Sequence, residues 1–313
     1  MNKESRIYVA GHRGLVGSAI VRALSNQGYG NLICRTSQEL DLRDRQQVDR
    51  LFSEEHIDIV FLAAAKVGGI VANHEYPADF IRDNLLIQTN IIDAAYQSGV
   101  EKLLFLGSTC IYPKLAPQPL KEEYLMTGEL EATNEAYAVA KIAGITMCQS
   151  YNRQYGTNYI SVMPTNLYGP GDNFDLEKSH VLPALLRKVH EAQEQQLPQV
   201  EIWGTGTPRR EFLHADDLAD ACLFLMEHYE GNEIVNIGTG EDISIRDLAS
   251  LIQSVVGYQG EFKFNTDKPD GTPRKWVDVS KLKSLGWSAR IPLIEGLKST
   301  YEDYKSELQT ISK

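Results

Sequence analysis

The sequence predicts an α/β fold with a doubly wound parallel sheet and a smaller C-terminal α/β lobe. Through the first half of the 313-residue chain, short apolar runs alternate with helical patterns. A glycine-rich turn follows the first run, and long loops become frequent after residue 166. Strands that alternate with helices are typical of a parallel sheet, because each helical crossover returns the chain to the same edge.

The elements of the first half follow from the spacing of the apolar residues. Strands are predicted at 7–10, 31–34, 57–65, 102–106 and 159–164, and helices at 15–27, 46–55, 76–97 and 134–155. A loop containing three prolines separates the fourth strand from the fourth helix. Because proline interrupts helices and central strands, this segment is expected to be irregular.

The second half predicts shorter elements between long loops. Helices are expected at 181–194, 216–228 and 245–256, and a strand at 233–237 resembles one that returns to the main sheet. Ser244 and Asp247 have the spacing of a capped helix start. The predicted domains are 1–166, which binds a dinucleotide, and 167–313, which binds substrate, with a segment near 215–245 returning to the first.

Composition limits the possible functions. A formal charge of −11 disfavours nucleic acids and acidic membranes, since Lys and Arg are not in excess. No apolar run approaches the roughly 20 residues of a membrane span, and the start MNKESRIYVAG lacks a signal-peptide core, so a cytoplasmic protein is expected. Four cysteines without a CxxC pair, and histidines that do not cluster, predict neither a disulfide framework nor a metal site.

The turn VAGHRGLVGS predicts a Rossmann-type dinucleotide site. Gly11, Gly14 and Gly17 lie between the first strand and the first helix, where glycines let the backbone approach a pyrophosphate. A packing turn is the simpler alternative. The second strand ends in Cys34 and Arg35 rather than the acidic residue typical of NAD sites, which favours NADP.

Arg35 and Arg13 are the predicted contacts for a 2′-phosphate. Both arginines can instead be solvated surface charges, and Glu39 or Asp41 can still reach the adenosine end.

Reductase chemistry is indicated by Tyr137, Lys141 and Ser108. The segment YAVAK places Tyr137 and Lys141 at i and i+4 of a predicted helix, on one face. A lysine ammonium is expected to lower the pKa of the phenol, which then exchanges a proton with a carbonyl oxygen. Ser108 follows the fourth strand, at the edge where such sheets bind ligands, and its hydroxyl is expected to bond the same oxygen.

Cys110 calls for a second chemistry. If STC is extended, Cys110 faces the same way as Ser108. A ketone bound there acidifies the C–H bonds on both sides, so a thiol and a histidine can act as base and acid in an epimerisation. His180 is the best placed of seven histidines. A small buried cysteine is the simpler alternative.

The glycine turn, the serine and Tyr-x-x-x-Lys, in this order, resemble the short-chain dehydrogenase/reductase superfamily, in the extended branch whose C-terminal lobe holds a nucleotide sugar. The stretches AAAKVGGIVANHEYPADFI, SVMPTNLYGPGDNF, REFLHADDLA and PDGTPRK resemble GDP-sugar epimerase/reductases of that branch. The resemblance implies that Cys110 and His180 are base and acid at C3 and C5 of a keto sugar. It also implies that Ser108, Tyr137 and Lys141 are the reductase triad, with NADPH giving hydride to C4.

The same resemblance implies the binding residues. The implied cofactor contacts are Gly11, His12, Arg13, Gly14, Leu15, Val16, Gly17, Arg35, Asp41, Leu42, Leu106, Gly107, Ser108, Tyr137, Lys141, Pro164, Thr165, Asn166, Leu167 and His180. The implied GDP-sugar contacts are Lys188, Trp203, Arg210 and Asp270, each of which can otherwise be an ordinary surface, core or turn residue. Ser37 departs from the family, which often has a second basic residue there. A homodimer through helices 76–97 and 134–155 is expected.

Two other functions fit parts of the pattern. A nucleotide-sugar 4-epimerase, 4,6-dehydratase or 4-reductase uses the same fold. Dehydratases of the branch place Asp and Glu after the triad Ser or Thr, however, where this chain has Cys110 and Ile111. A non-catalytic NADP-sensing regulator would not need the intact triad.

Overall fold

The structure is a computed structural model, which describes residues 1–176, 179–268 and 270–311. The first half forms, in chain order, β1 (Ile7–Ala10), α1 (Leu15–Asn26), β2 (Leu32–Ile33), α2 (Arg45–Glu55), β3 (Ile59–Leu62), α3 (Ile70–Glu75), α4 (Pro77–Gln97), β4 (Lys102–Leu106), α5 (Glu135–Tyr155) and β5 (Tyr159–Pro164). Short 3-10 helices at Thr109–Ile111, Glu122–Tyr124 and Ala132–Asn134 lie between β4 and α5.

The second half alternates short strands with helices. It forms β6 (Asn166–Tyr168), α6 (Val181–Glu194), β7 (Gln199–Trp203), β8 (Arg209–Arg210), β9 (Phe212–His214), α7 (Ala215–His228), β10 (Val235–Ile237), β11 (Ile243–Ser244), α8 (Ile245–Val256), β12 (Glu261–Asn265), β13 (Arg274–Lys275), α9 (Ser280–Leu285) and α10 (Leu293–Ile311). Ser244 caps α8, since its hydroxyl accepts from the Asp247 N–H at 3.0 Å, as the sequence predicts.

The main sheet confirms the predicted fold class. Its strands are parallel, in the order β10-β5-β4-β3-β1-β2. From β1 the chain runs to β2 on one side and then crosses back to β3 on the other side of β1. The strand order therefore reverses beside β1. In open α/β sheets, ligands bind outside the carboxyl ends of the strands at such a point.

Both faces of the sheet are covered, because successive side chains of its strands point to opposite faces. Tyr8 and Phe105 face α2, α4 and α5, whereas Val9 and Leu104 face α1 and α7. A third apolar cluster, in the second half of the chain, joins α6, α8 and α10. None of the described helices is both long and apolar enough to cross a bilayer.

β10 extends the main sheet from the second half of the chain. Val235, Asn236 and Ile237 pair in parallel with Val162, Met163 and Pro164 of β5. The buried Asn236 side chain accepts from the Tyr112 hydroxyl at 2.6 Å and donates to the Leu120 carbonyl at 2.9 Å. The proline-containing loop after β4 is therefore held against β10. The boundary between residues 166 and 167 stays a prediction.

Candidate active site

The glycine turn builds an anion site at the start of α1. Gly11 has φ +82°, and its carbonyl accepts from the Gly14 N–H at 3.0 Å. A Cβ at Gly17 would lie 2.1 Å from the Gly11 oxygen, so only glycine allows this turn to close. A Cβ at Gly14 would meet only that oxygen, at 3.5 Å. No side chain caps α1, so its first N–H groups stay accessible to a phosphate.

The adenosine end of the predicted cofactor site is a cavity of about 240 Å³. Its lining consists of Gly11, His12, Arg13, Gly14, Arg35, Thr36, Ser37 and Gln38. Arg13 and Arg35 therefore share one pocket, and Ser37 lies in it as well. Two guanidinium groups and a hydroxyl suit a 2′-phosphate. Arg35 is itself positioned by an ion pair with Glu55.

Several other residues expected around the cofactor lie at the carboxyl ends of β4 and β5. Gly107 follows β4, and Pro164 to Leu167 lie at the end of β5 and in β6. Asn166 donates from its side chain to the Glu211 carbonyl at 2.8 Å. Asp41 accepts from the Arg43 guanidinium at 2.9 Å, and the Leu42 carbonyl accepts from the Asn90 side chain at 3.0 Å. The Asp41 carboxylate and the Leu42 carbonyl therefore already have hydrogen-bond partners within the protein.

Ser108 and Cys110 are held in a 3-10 turn, which corrects the extended conformation expected for STC. Ser108 is the N-cap of the helix Thr109–Ile111, and its hydroxyl accepts from the Cys110 N–H at 3.3 Å. This capping bond makes the chain turn immediately after β4. The two side chains are brought to one site by the turn, not by strand alternation.

Tyr137 and Lys141 lie on α5 at the predicted helical spacing. The Lys141 ammonium is buried, lies 5.8 Å from the centre of the Tyr137 ring, and donates to the Leu106 carbonyl at 2.7 Å. Burial lowers the pKa of Lys141 to about 8. The ammonium group is thereby directed to the carboxyl end of β4.

The pKa of Tyr137 is raised, opposite to the direction expected from its lysine neighbour. Burial is the main cause, the nearby Cys110 thiol adds to it, and a hydrogen bond with Ser108 offsets part of it. Lys141, whose ammonium group lies 5.8 Å from the ring centre, does not offset the rise. Tyr137 is therefore protonated at neutral pH, which is the form that gives a proton to a reduced carbonyl oxygen.

Cys110 has a polar neighbour that sequence reasoning did not identify. The Asn134 side-chain amide donates to the Cys110 sulfur at 3.3 Å. The four cysteines are free thiols, and Cys148 and Cys222 are buried, with pKa values that burial raises. Cys110 is the cysteine that the structure brings beside Ser108 and Tyr137.

His180 is the N-cap residue of α6. Its side chain is exposed to solvent, yet the surrounding protein and, secondly, the charge of Lys275 lower its pKa. Lys275 pairs in register with Arg210. His180 is thus predominantly neutral at pH 7 and lies beside the strand that carries a predicted substrate contact.

The four residues expected to hold the GDP-sugar lie along one surface. Trp203 is 61% exposed, with the Lys188 ammonium 5.5 Å from its ring centre. Asp270 accepts from the Thr205 N–H at 2.9 Å, just after Trp203. Arg210 lies next to Gly271, the residue after Asp270, because a Cβ added to Gly271 would lie 3.0 Å from the Arg210 guanidinium. Two cations and an exposed indole suit a diphosphate and a ring or sugar face.

Glu211 was not predicted, and it holds two loops of the second half of the chain. Its buried carboxylate accepts from the N–H groups of Gly240 at 2.7 Å and Val277 at 2.8 Å. Burial raises its pKa, and these backbone bonds oppose the rise. The loops after β10 and β13 are thereby fixed beside Arg210. Among the described residues, no group of three or more His, Cys, Asp or Glu could hold a metal ion.

Comparisons with known proteins agree with this geometry. The model of the NAD dependent epimerase/dehydratase family matches residues 7–238. GDP-L-fucose synthase 1 of Arabidopsis thaliana is 59% identical over 97% of this chain and 94% of its own length. GDP-L-fucose synthase of Escherichia coli K12 is 57% identical over 96% of this chain and 97% of its own length.

Solved structures agree over nearly the whole chain. A GDP-L-fucose synthetase from Naegleria fowleri bound to NADP is 31% identical, with a TM-score of 0.93, and the match covers 99% of this chain and 95% of that one. A GDP-6-OMe-4-keto-L-xylo-heptose reductase from C. jejuni is 44% identical, with a TM-score of 0.93, over 98% and 99%.

Proposed function

Because the chain belongs to the NAD dependent epimerase/dehydratase family, we propose that it converts GDP-4-keto-6-deoxy-D-mannose to GDP-L-fucose. The conversion is an epimerisation at C3 and C5 followed by a reduction at C4. The observation that carries the proposal is a cysteine, Cys110, beside the Ser108, Tyr137 and Lys141 reductase constellation. A plain reductase does not require that thiol.

In the epimerisation, Ser108 and Tyr137 donate hydrogen bonds to the C4 carbonyl oxygen of the sugar. These bonds stabilise the enolate that forms when the adjacent C–H bond breaks. Cys110, as thiolate, takes the proton from carbon, and the minor imidazolium form of His180 returns one to the opposite face. Proton exchange with solvent then restores the thiolate and the imidazolium for the second inversion. Each inversion leaves the sugar with its atoms and charge unchanged.

In the reduction, NADPH is the cofactor and supplies hydride to C4. Tyr137, protonated at neutral pH, donates its proton to the developing alkoxide at O4. The phenolate that remains regains its proton from solvent, and Lys141 keeps the helix of Tyr137 against the end of β4. The accessible N–H groups at the start of α1 and the pocket of Arg13 and Arg35 fit the pyrophosphate and the 2′-phosphate of this cofactor.

Lys188 and Arg210 bind the diphosphate in this proposal, and Trp203 packs on a ring of the substrate. Asp270 orders the loop after Trp203 through Thr205. Since this substrate is a nucleotide sugar used with NADPH, the proposed location is the cytoplasm. We also propose a homodimer through α4 and α5, because Leu86 and Val139 on these helices are each 40% exposed. Light scattering at micromolar concentration tests the dimer, and a monomer contradicts it.

The test is NADPH oxidation with GDP-4-keto-6-deoxy-D-mannose in D2O, with the product examined by NMR. Oxidation with deuterium at C3 and C5 is expected. Cys110→Ser should lose the deuterium, Tyr137→Phe should lose hydride transfer, and the control Cys34→Ser should keep exchange. Oxidation without deuterium would instead favour a 4-reductase, the function named for the C. jejuni relative. No oxidation would favour an NAD-retaining sugar enzyme or a regulator.

A further inference from the structure

The side chain of Asn134 has an arrangement that its place in the helix does not explain. Asn134 is the N-cap residue of α5, a position where an asparagine oxygen commonly accepts from the first N–H groups of the helix. Here it makes no side-chain cap bond. Its Oδ1 is buried and has no hydrogen-bond partner among the described residues, whereas its Nδ2 donates to the Cys110 sulfur at 3.3 Å.

The position of Asn134 also matches the catalytic face of α5. It precedes Tyr137 by three residues and Lys141 by seven, so the three side chains lie along one helical stripe. Along this stripe, Asn134 contacts the Cys110 sulfur and Lys141 contacts the Leu106 carbonyl, and the Tyr137 phenol lies between them in sequence. Among the described titratable groups, the Tyr137 phenol lies near the Cys110 sulfur, because the thiol contributes to the raised pKa of this phenol.

We propose that Asn134 is a positioning residue that orients the Cys110 sulfur and favours its thiolate form. A hydrogen bond donated to the charged form of an acid favours that form, and an amide N–H bonds a thiolate more strongly than a thiol. The inference rests on the proposed function, in which the thiolate removes protons from C3 and C5. In that reaction the amide fixes the direction from which the base approaches the carbon.

Two substitutions separate this role from a structural one. Asn134→Ala removes the donor. Asn134→Asp keeps the size and is a good N-cap residue, but it replaces the donor by a negative charge beside the sulfur. A structural role predicts that Asp is tolerated better than Ala. The positioning role predicts the opposite order.

The first readout needs no sugar substrate. Alkylation of Cys110 by iodoacetamide is followed against pH by mass spectrometry of the Cys110 peptide, because only the thiolate reacts. The pH midpoint of alkylation should rise from wild type to Asn134→Ala and again to Asn134→Asp. Unchanged midpoints, or a smaller effect of Asp than of Ala, would overturn the inference. Thermal unfolding of both variants checks that they are folded.

The second readout is deuterium exchange at C3 and C5 of the keto sugar, compared with NADPH oxidation. In Asn134→Ala we expect exchange to fall at least tenfold, with its pH profile displaced upward and NADPH affinity unchanged. An equal loss of NADPH affinity and exchange, with no displacement of the profile, would contradict the role. If the alkylation midpoints shift but the wild type exchanges no deuterium, the proposed function fails while the contact to Cys110 stands.

Discussion

The Lys141 ammonium donates a hydrogen bond of 2.7 Å to the Leu106 carbonyl, which ties the helix of Tyr137 to the last residue of β4. The contact is buried, and burial lowers the pKa of the ammonium from 10.5 to about 8. A lysine whose pKa is lowered by folding makes stability depend on pH in a defined window.

The pH dependence follows from the protons that each state binds. Between pH 8 and 10.5, the unfolded chain keeps the lysine proton that the folded protein has lost. The free energy of unfolding should therefore rise with pH across this window, by up to about 3 kcal/mol from this group. Below pH 8 the contribution is constant. Lys141→Met removes this titrating group. The difference in free energy of unfolding between wild type and variant, measured with denaturant, should therefore change with pH only above pH 8. Parallel curves would contradict the lowered pKa.

Arg35 should set the preference for NADPH over NADH. Arg35→Ala removes one of the two guanidinium groups in the pocket that also contains Ser37. We expect kcat/KM for NADPH to fall about 10- to 100-fold, as for a lost charge-assisted hydrogen bond, with that for NADH little changed. Steady-state kinetics with both cofactors measures the ratio. Arg50→Ala, an exposed arginine of α2, is the control and should leave the ratio unchanged.

Lys188 should bind the GDP-sugar through its charge. Lys188→Met keeps most of the aliphatic length but removes the ammonium 5.5 Å from the Trp203 ring centre. We expect a KM for the GDP-sugar about tenfold higher, with the KM for NADPH unchanged. The matched control is Lys263→Met on β12, an exposed lysine of the strand that pairs with β7. An equal effect of both substitutions would indicate a general loss of positive charge.

Glu211 should contribute to stability more than an exposed glutamate. In Glu211→Gln, one carboxylate oxygen becomes an NH2 group, so the Gly240 or Val277 N–H loses its buried acceptor. We expect a loss of about 1–3 kcal/mol in the free energy of unfolding. The exposed Glu201 of β7 is the control, and Glu201→Gln should change stability by less than about 0.5 kcal/mol. Indistinguishable unfolding curves would show that Glu211 does not hold the loops.

The sheet and its helices were predictable because their signals are local. Apolar runs at β1, β4 and β5 are buried on both faces, and the Tyr137 to Lys141 spacing fixes one helical face whatever the tertiary structure. In the second half, the strand predicted at 233–237 is confirmed as β10, whereas the other short strands were not predicted. Arg209–Arg210 pairs with residues more than 30 positions away, so no local pattern identifies it.

The details of the site depended on contacts that the sequence does not reveal. The turn after Ser108 follows from one hydrogen bond to the Cys110 N–H, and the raised pKa of Tyr137 follows mainly from burial. Asn134 gave a weak local signal, as a polar residue one turn before the catalytic tyrosine. Glu211 gave no local signal, because its carboxylate oxygens accept hydrogen bonds from loops that lie 29 and 66 residues away in sequence.

The late position of β10 has a consequence for synthesis on the ribosome. The outer edge of β5 stays unpaired at least until Val235–Ile237 have been synthesised, when three quarters of the chain has been made. An unpaired parallel edge can associate with another nascent chain. Slow translation or premature termination between residues 165 and 235 would therefore release an aggregation-prone polypeptide, whereas completion of β10 closes that edge of the sheet.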